Sequence, residues 1–257
     1  MSAIVFKRFI LLAAGFLICY SAYCQDGKIT TEQPDQSYGA EVLEKNSFQL
    51  ESSLYYNHIN DSNDPIITSN LLRYGIGKSV ELRLMIEQGN YRDTYIEKTS
   101  QSLYPLALGT KVEIVREGRS CPGLALVGYV QLPFTNFDQQ HSRWSPALIA
   151  AAEKGIGNFT ITANIGCKQQ AFESGWEYIA TTDIKYEVND HLQLFAEYFG
   201  QYQGGEDPVH NADGGILWQA SARFQLHLAA GSSLNYAPSY FFINTGFALL
   251  LPKRNND

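Results

Sequence analysis

The charged residues of this chain recur at a spacing of two. In VELRLMIE, Glu81, Arg83 and Glu87 alternate with Val80, Leu82, Leu84 and Ile86. Lys111 and Glu113 alternate in the same way with Val112 and Ile114, and Asp183, Lys185 and Glu187 with Ile184, Tyr186 and Val188. Glu197 stands between Ala196 and Tyr198, and Arg73 between Leu72 and Tyr74. A period of two sends alternate side chains to opposite faces of a strand. Side-chain charges ringed around a pore are one way channels choose ions. The same charges paired across neighbouring strands would hold a wall together. Arg73, Arg83, Lys111 and Lys185 against Glu81, Glu113, Asp183, Glu187 and Glu197 carry mixed signs, so one residue can do both jobs.

Aromatic residues form a second candidate set. Tyr74, Trp176, Tyr178, Tyr186, Tyr198 and Trp218 fall on apolar faces, where amphipathic rings would form the girdle of a membrane barrel. Tyr129, Phe195 and Phe199 fall on the opposite face and are the candidates for touching an apolar solute. Catalysis has weaker support. His141 and Ser142 are adjacent in HSRWS, and neighbours on a strand point apart, so one is not placed to activate the other. Glu206, Asp207 and Asp213 lack the repeat of a calcium loop and read as solvated acids. Cys121 and Cys167 have no metal spacing and are expected at opposite ends of the fold, unbridged. No catalytic residue, cofactor or metal is called.

The elements that would position these residues are strands throughout. Alternating stretches are expected at 48–59, 66–76, 80–87, 103–115, 123–134, 146–154, 159–168, 176–188, 192–202, 213–222, 224–235 and 240–251, with no helical stretch of useful length between them. Twelve is an even count, and tilted strands of about 9–11 residues suffice to cross a bilayer. Short links such as Gly77-Lys78-Ser79, Gly155–Asn158 and Asn189-Asp190-His191 alternate with longer ones such as Gln88–Ser102 and Thr135–Ser145. The expected fold is therefore all-β: a twelve-stranded antiparallel transmembrane β-barrel of outer-membrane type, apolar face to lipid and charged face to a wet lumen. A secreted soluble sandwich would show the same alternation. Strand length, even count and loop asymmetry together favour the barrel.

Residues 1–24 read as a secretory signal: Lys7 and Arg8, an apolar run over Phe9–Ile18, and small residues before Gln25. Residues 25–46 read as a polar periplasmic leader, partly tucked into the lumen. The barrel occupies 47–251, and 252–257 is a polar tail. The formal net charge of −7 becomes −9 once Lys7 and Arg8 leave, which argues against a nucleic-acid partner.

The hairpin LRYGIGKSVELRL resembles that of outer-membrane proteins in the family described as the putative MetA-pathway of phenol degradation. FQLESSLYYN, LALGTKVEI, PGLALVGYVQLP, NIGC, HLQLFAEYFG and DGGILWQ are similar to its other strands, in order. The resemblance covers nearly the whole mature chain. It implies an exported, transporter-like barrel passing small hydrophobic or aromatic compounds, not an enzyme of phenol breakdown. The tail departs from many such barrels in not ending on an aromatic residue. The reading is a channel for passive diffusion through a narrow lumen, gated by the leader or by Gln88–Ser102, with outer-membrane lipid and a small solute as partners and the oligomeric state open. The alternatives are a structural or surface-interaction barrel without an open pore and, remotely, a lipid hydrolase.

Overall fold

The computed structural model describes residues 29–58, 65–93, 98–133, 143–169, 175–235 and 240–251, with the backbone alone over 90–93 and 98–103. Its strands are β1 (Phe48–His58), β2 (Ile66–Gly75), β3 (Val80–Asp93), β4 (Lys98–Leu103), β5 (Ala107–Val115), β6 (Gly123–Gln131), β7 (Ser145–Ile156), β8 (Phe159–Gln169), β9 (Trp176–Asn189), β10 (Leu192–Gln203), β11 (Val209–Ser221), β12 (Phe224–Ser233) and β13 (Phe241–Leu251). Each neighbour pair is antiparallel, and β1 pairs with both β2 and β13. The sheet therefore closes on itself and has no free edge among its spanning strands, as a bilayer requires. β4 and β5 lie end to end along one partner, β3, so the wall is a closed barrel of twelve strands.

Pro105 explains the break between β4 and β5. Proline has no N–H to give the ladder. The flanking residues still bond, Tyr104 N to Glu87 O at 3.0 Å and Leu132 N to Leu106 O at 2.8 Å. One expectation is corrected nearby. The sequence reads Gln88–Ser102 as a polar loop, but the hairpin extends into it, pairing Gln88 with Leu103 out to Asp93 with Lys98. A strand pair standing in water on both sides needs no apolar face, so the pattern carried no signal. β11 likewise starts at Val209 rather than Asp213, and Asp213 is a wall residue apart from the exposed Glu206.

The faces sort as the alternation predicts. Leu82, Leu108, Ile165 (69% exposed) and Leu228 point outward, whereas Glu81, Lys111 and Asp183 are fully buried. An apolar exterior around a charged interior is the arrangement lipid demands and water would not tolerate. Aromatic residues mark both borders of the apolar band. At the end of the short turns sit Tyr74, Tyr186 against Phe159 (4.8 Å between rings) and Trp218; at the other end sit Trp176, Tyr178 and Phe241. Trp176 and Tyr186 lie on one strand, ten residues apart. That is about 33 Å of strand, or roughly 25 Å along the axis at a tilt near 40°.

Candidate functional site

The lumen is crossed by the segment before β1. Residues 29–46 form a strap that enters and leaves at the turn end, where Asn46 N donates to Gly75 O at 2.8 Å. The strap contains Pro34 and lacks a strand partner, so its backbone groups must bond elsewhere. They bond to the wall. Glu51 Oε2 accepts from the N–H of Glu32 and of Gln33, both at 2.9 Å. Glu197 accepts from Gln36 N at 2.8 Å and from the Ser37 hydroxyl. Asn164 grips both the N–H and the C=O of Tyr38, at 2.6 and 3.0 Å. Glu81 Oε2 accepts from Leu43 N at 2.7 Å, and Asn244 donates to Pro34 O at 3.4 Å. These five wall residues come from β1, β10, β8, β3 and β13, so the strap is held from around the circumference.

Charge is balanced on one side of the strap. Glu32 meets Lys111 Nζ at 2.7 Å, Arg83 at 3.1 Å and Arg73 at 3.4 Å. Arg73 also pairs with Glu51 and Glu81 at 2.9 Å, and Arg83 with Glu81 at 3.0 Å. Three cations thus face three carboxylates, all buried, and one carboxylate belongs to the strap. Burial alone would raise the Glu32 pKa, but Lys111, Arg83 and Arg73 outweigh it and hold the group well below the ordinary carboxylate range. Arg83 also stacks over the rings of Tyr38 and Tyr129, at 5.1 and 5.6 Å from their centroids. On the other side, Asp35 of the strap pairs with Lys185, which lies 3.8 Å from Asp183. Burial raises the Asp35 pKa above its ordinary value, with Lys185 opposing.

The strap divides the interior. On the turn side is a cavity of about 590 Å³ rich in charge, with Glu41, Glu117, Glu153, Glu187 and Arg223 among its walls. On the loop side are two cavities of about 470 and 310 Å³ that share Gln36, Tyr55, Glu87, Phe199 and Gln201. Phe242 and Tyr240 line the first of these, and Tyr129 and Met85 the second. Together they form one amphipathic chamber.

Of the sequence candidates, Arg73, Glu81, Arg83, Lys111, Tyr129, Asp183 and Glu197 are buried inside the barrel, and Lys185 is nearly so. Glu113 sits apart at the turn-end rim, paired with the exposed Arg116 at 2.9 Å. Phe199 faces the chamber, whereas Phe195 packs against Leu217 and Ala229. Tyr74, Trp176, Tyr178, Tyr186 and Trp218 are exposed on the outside, while Tyr198 is half-buried there, bonded to His210 Nδ1 at 2.6 Å. His141 and Ser142 lie outside the described residues. Cys121 and Cys167 are free, near opposite ends. Glu32, Glu51, Asp35, Asn164 and Asn244 were missed. Glu51 sits on the polar face of FQLESSLYYN and was findable there, but nothing in the strap sequence marks its partners.

A closed wall with lipid-facing apolar residues, two aromatic belts and a charged interior defines an outer-membrane β-barrel. Residues 31–251 match the family described as Putative MetA-pathway of phenol degradation, and the chain belongs to that family. An outer membrane channel from Pseudomonas putida F1 superposes with a TM-score of 0.62 at 15% identity, covering 86% of this chain and all of that one. The NanC porin gives 0.55 at 7% identity, and the KdgM porin in complex with disordered oligogalacturonate 0.54 at 10%, each covering 78% of this chain and 98% of its own. At these identities the likeness is one of fold. No curated protein matches the chain.

Proposed function

We propose that the chain is exported with a cleaved signal at 1–24 and serves as an outer-membrane channel. It passes a small hydrophobic or aromatic solute by passive diffusion through a narrow lumen, and the strap at 29–46 closes the path at mid-height. The observation that carries this reading is the pair of spaces on either side of the strap, with Tyr55, Phe199, Tyr240 and Phe242 around the loop-side one. Aromatic walls with a few polar groups suit an amphipathic solute. A family of barrels and channel-type fold neighbours supports passage rather than catalysis. Lipid and a small solute are the partners of this reading.

The test is single-channel recording of the refolded mature chain in a planar bilayer. Brief discrete openings, lengthened when the strap is loosened, support the channel. Silence from folded, inserted protein, strap loosened or not, defeats it. A second reading, a barrel without an open path, draws on the many bonds between strap and wall and would then take its place.

A further inference from the structure

We propose that the row Asp183, Glu197 and Asp213, with Asp35 of the strap, binds the ammonium head of a small amphipathic amine whose apolar body lies in the aromatic chamber. This names the solute class of the channel and rests on that reading. The three wall residues are direct cross-strand partners: Asp183 faces Glu197, and Glu197 faces Asp213, on β9, β10 and β11. Such partners place their Cβ atoms about 4.5–5.5 Å apart. One inward-facing step toward the loop end lies the row Thr181, Phe199 and Asn211, whose members line the chamber. Next along the acidic row comes Gly231, paired with Asp213 on one side and Phe242 on the other. A Cβ on Gly231 would stand 2.4 Å from Asp213 Cβ and 2.5 Å from the Phe242 ring, so a glycine there leaves acid and ring side by side.

Charge does not balance here as it does on the Arg73 side. Four carboxylates stand here, Asp35, Asp183, Glu197 and Asp213; Lys185 pairs with Asp35 and lies 3.8 Å from Asp183, while Glu197 accepts from the strap's Gln36 N–H and Ser37 hydroxyl. Asp183 is fully buried and Asp213 only 9% exposed, yet among the described residues neither carboxylate has a hydrogen-bond partner on either oxygen. Asp35 Oδ1 also lacks one. Buried acceptors in excess call for a cation bearing donors. Among the described residues no three such groups converge as metal ligands would. An ammonium, with three N–H donors to spread over a row of acceptors, fits the spacing better than a chelated ion. The faces of Tyr55, Phe199 and Phe242 add an attraction for the same charge.

The full chain, folded in detergent at physiological ionic strength, is titrated calorimetrically with phenethylammonium, 2-phenylethanol and 3-phenylpropionate, which differ chiefly in the charge of the head. The amine should bind at least about tenfold tighter than the alcohol, and the carboxylate weakest. Asp213→Asn should bring the amine down to the level of the alcohol, and Asp183→Asn serves if that variant does not fold. Equal affinity for amine and alcohol, an amine preference that survives the substitution, or no binding of any of the three overturns the assignment. Failure of the channel reading shows separately, as silence of the folded, inserted protein in the planar-bilayer recordings with the strap loosened, and leaves the titration readable.

Discussion

Glu32→Gln is the substitution that most directly tests the strap. Glutamine keeps the shape of the side chain and removes its charge. Lys111, Arg83 and Arg73, within 2.7–3.4 Å of the Glu32 carboxylate, then face only Glu51 and Glu81. Leaving a buried charge without its partner costs about 3–5 kcal/mol. The cost falls on the seated state, because water reaches the three cations once the strap withdraws. The ratio of seated to withdrawn strap should fall by roughly two to three and a half orders of magnitude. Single-channel recording should show open probability rising steeply, and amide exchange over 32–38 should lose protection in parallel. Glu41→Gln is the control, since Glu41 is exposed at the turn end. Unchanged openings and unchanged protection in Glu32→Gln would show that the pairs do not hold the strap.

Seating should also depend on pH. The Asp35 pKa is raised in place, so between its ordinary value and the raised one the seated strap keeps a proton that the free strap loses. Linkage then weakens seating as pH rises through that window. Lys185, Asp183, Glu197, Asp213, Glu32 and Glu51 are the charged groups around it. Glu32 is shifted the other way, and its contribution is lost progressively as the pH falls below the ordinary carboxylate value. Openings should grow more frequent as the pH is raised from the ordinary carboxylate range, and Asp35→Asn should flatten the rise; a flat profile in the unaltered chain contradicts the assignment. Gly75→Ala should lower refolding yield sharply, because the new Cβ would sit 2.1 Å from Glu44 O and 2.6 Å from Leu43 O, whereas Gly204→Ala meets nothing within 4 Å and should be neutral. Ile165→Arg, on the lipid face, should cost about 2–4 kcal/mol in a urea titration from lipid vesicles, and Ile165→Val very little.

The barrel was legible because lipid imposes a rule that every spanning strand must obey. β1 begins at Phe48 and β8 and β9 at Phe159 and Trp176, as the alternation indicates. The wall charges were legible for the same reason: Glu81 and Arg83 could point only inward. The rule lapses outside the bilayer, so Gln88–Asp93 looked like loop although it is strand. It lapses in the lumen as well. A polar segment with one proline and no period satisfies its backbone wherever acceptors exist, and Glu51, Asn164, Glu197 and Asn244 supply them from strands far apart in the chain. That the strap lies inside is consistent with its polarity, but its contacts depend on barrel radius and strand register, which single strands do not reveal.

The two feet of the strap differ in kind. Glu32 stands among cations that neutralise it, and the pair network it completes sets three cations against three carboxylates. Asp35 stands among acids, with Lys185 the cation beside it. A strap held only by feet of the first kind would be seated most firmly at neutral pH and would loosen only as the pH fell below the ordinary carboxylate range. The second foot makes its seat conditional on whatever neutralises the acidic row: protons at low pH, or a cation in the lumen. A cation that binds the row only when Asp35 completes it must stabilise the seated strap by the same free energy that the strap lends to its binding. Amine and proton would then push in one direction, toward the closed strap, while competing for the same carboxylates, so amine binding should weaken as the row takes up protons.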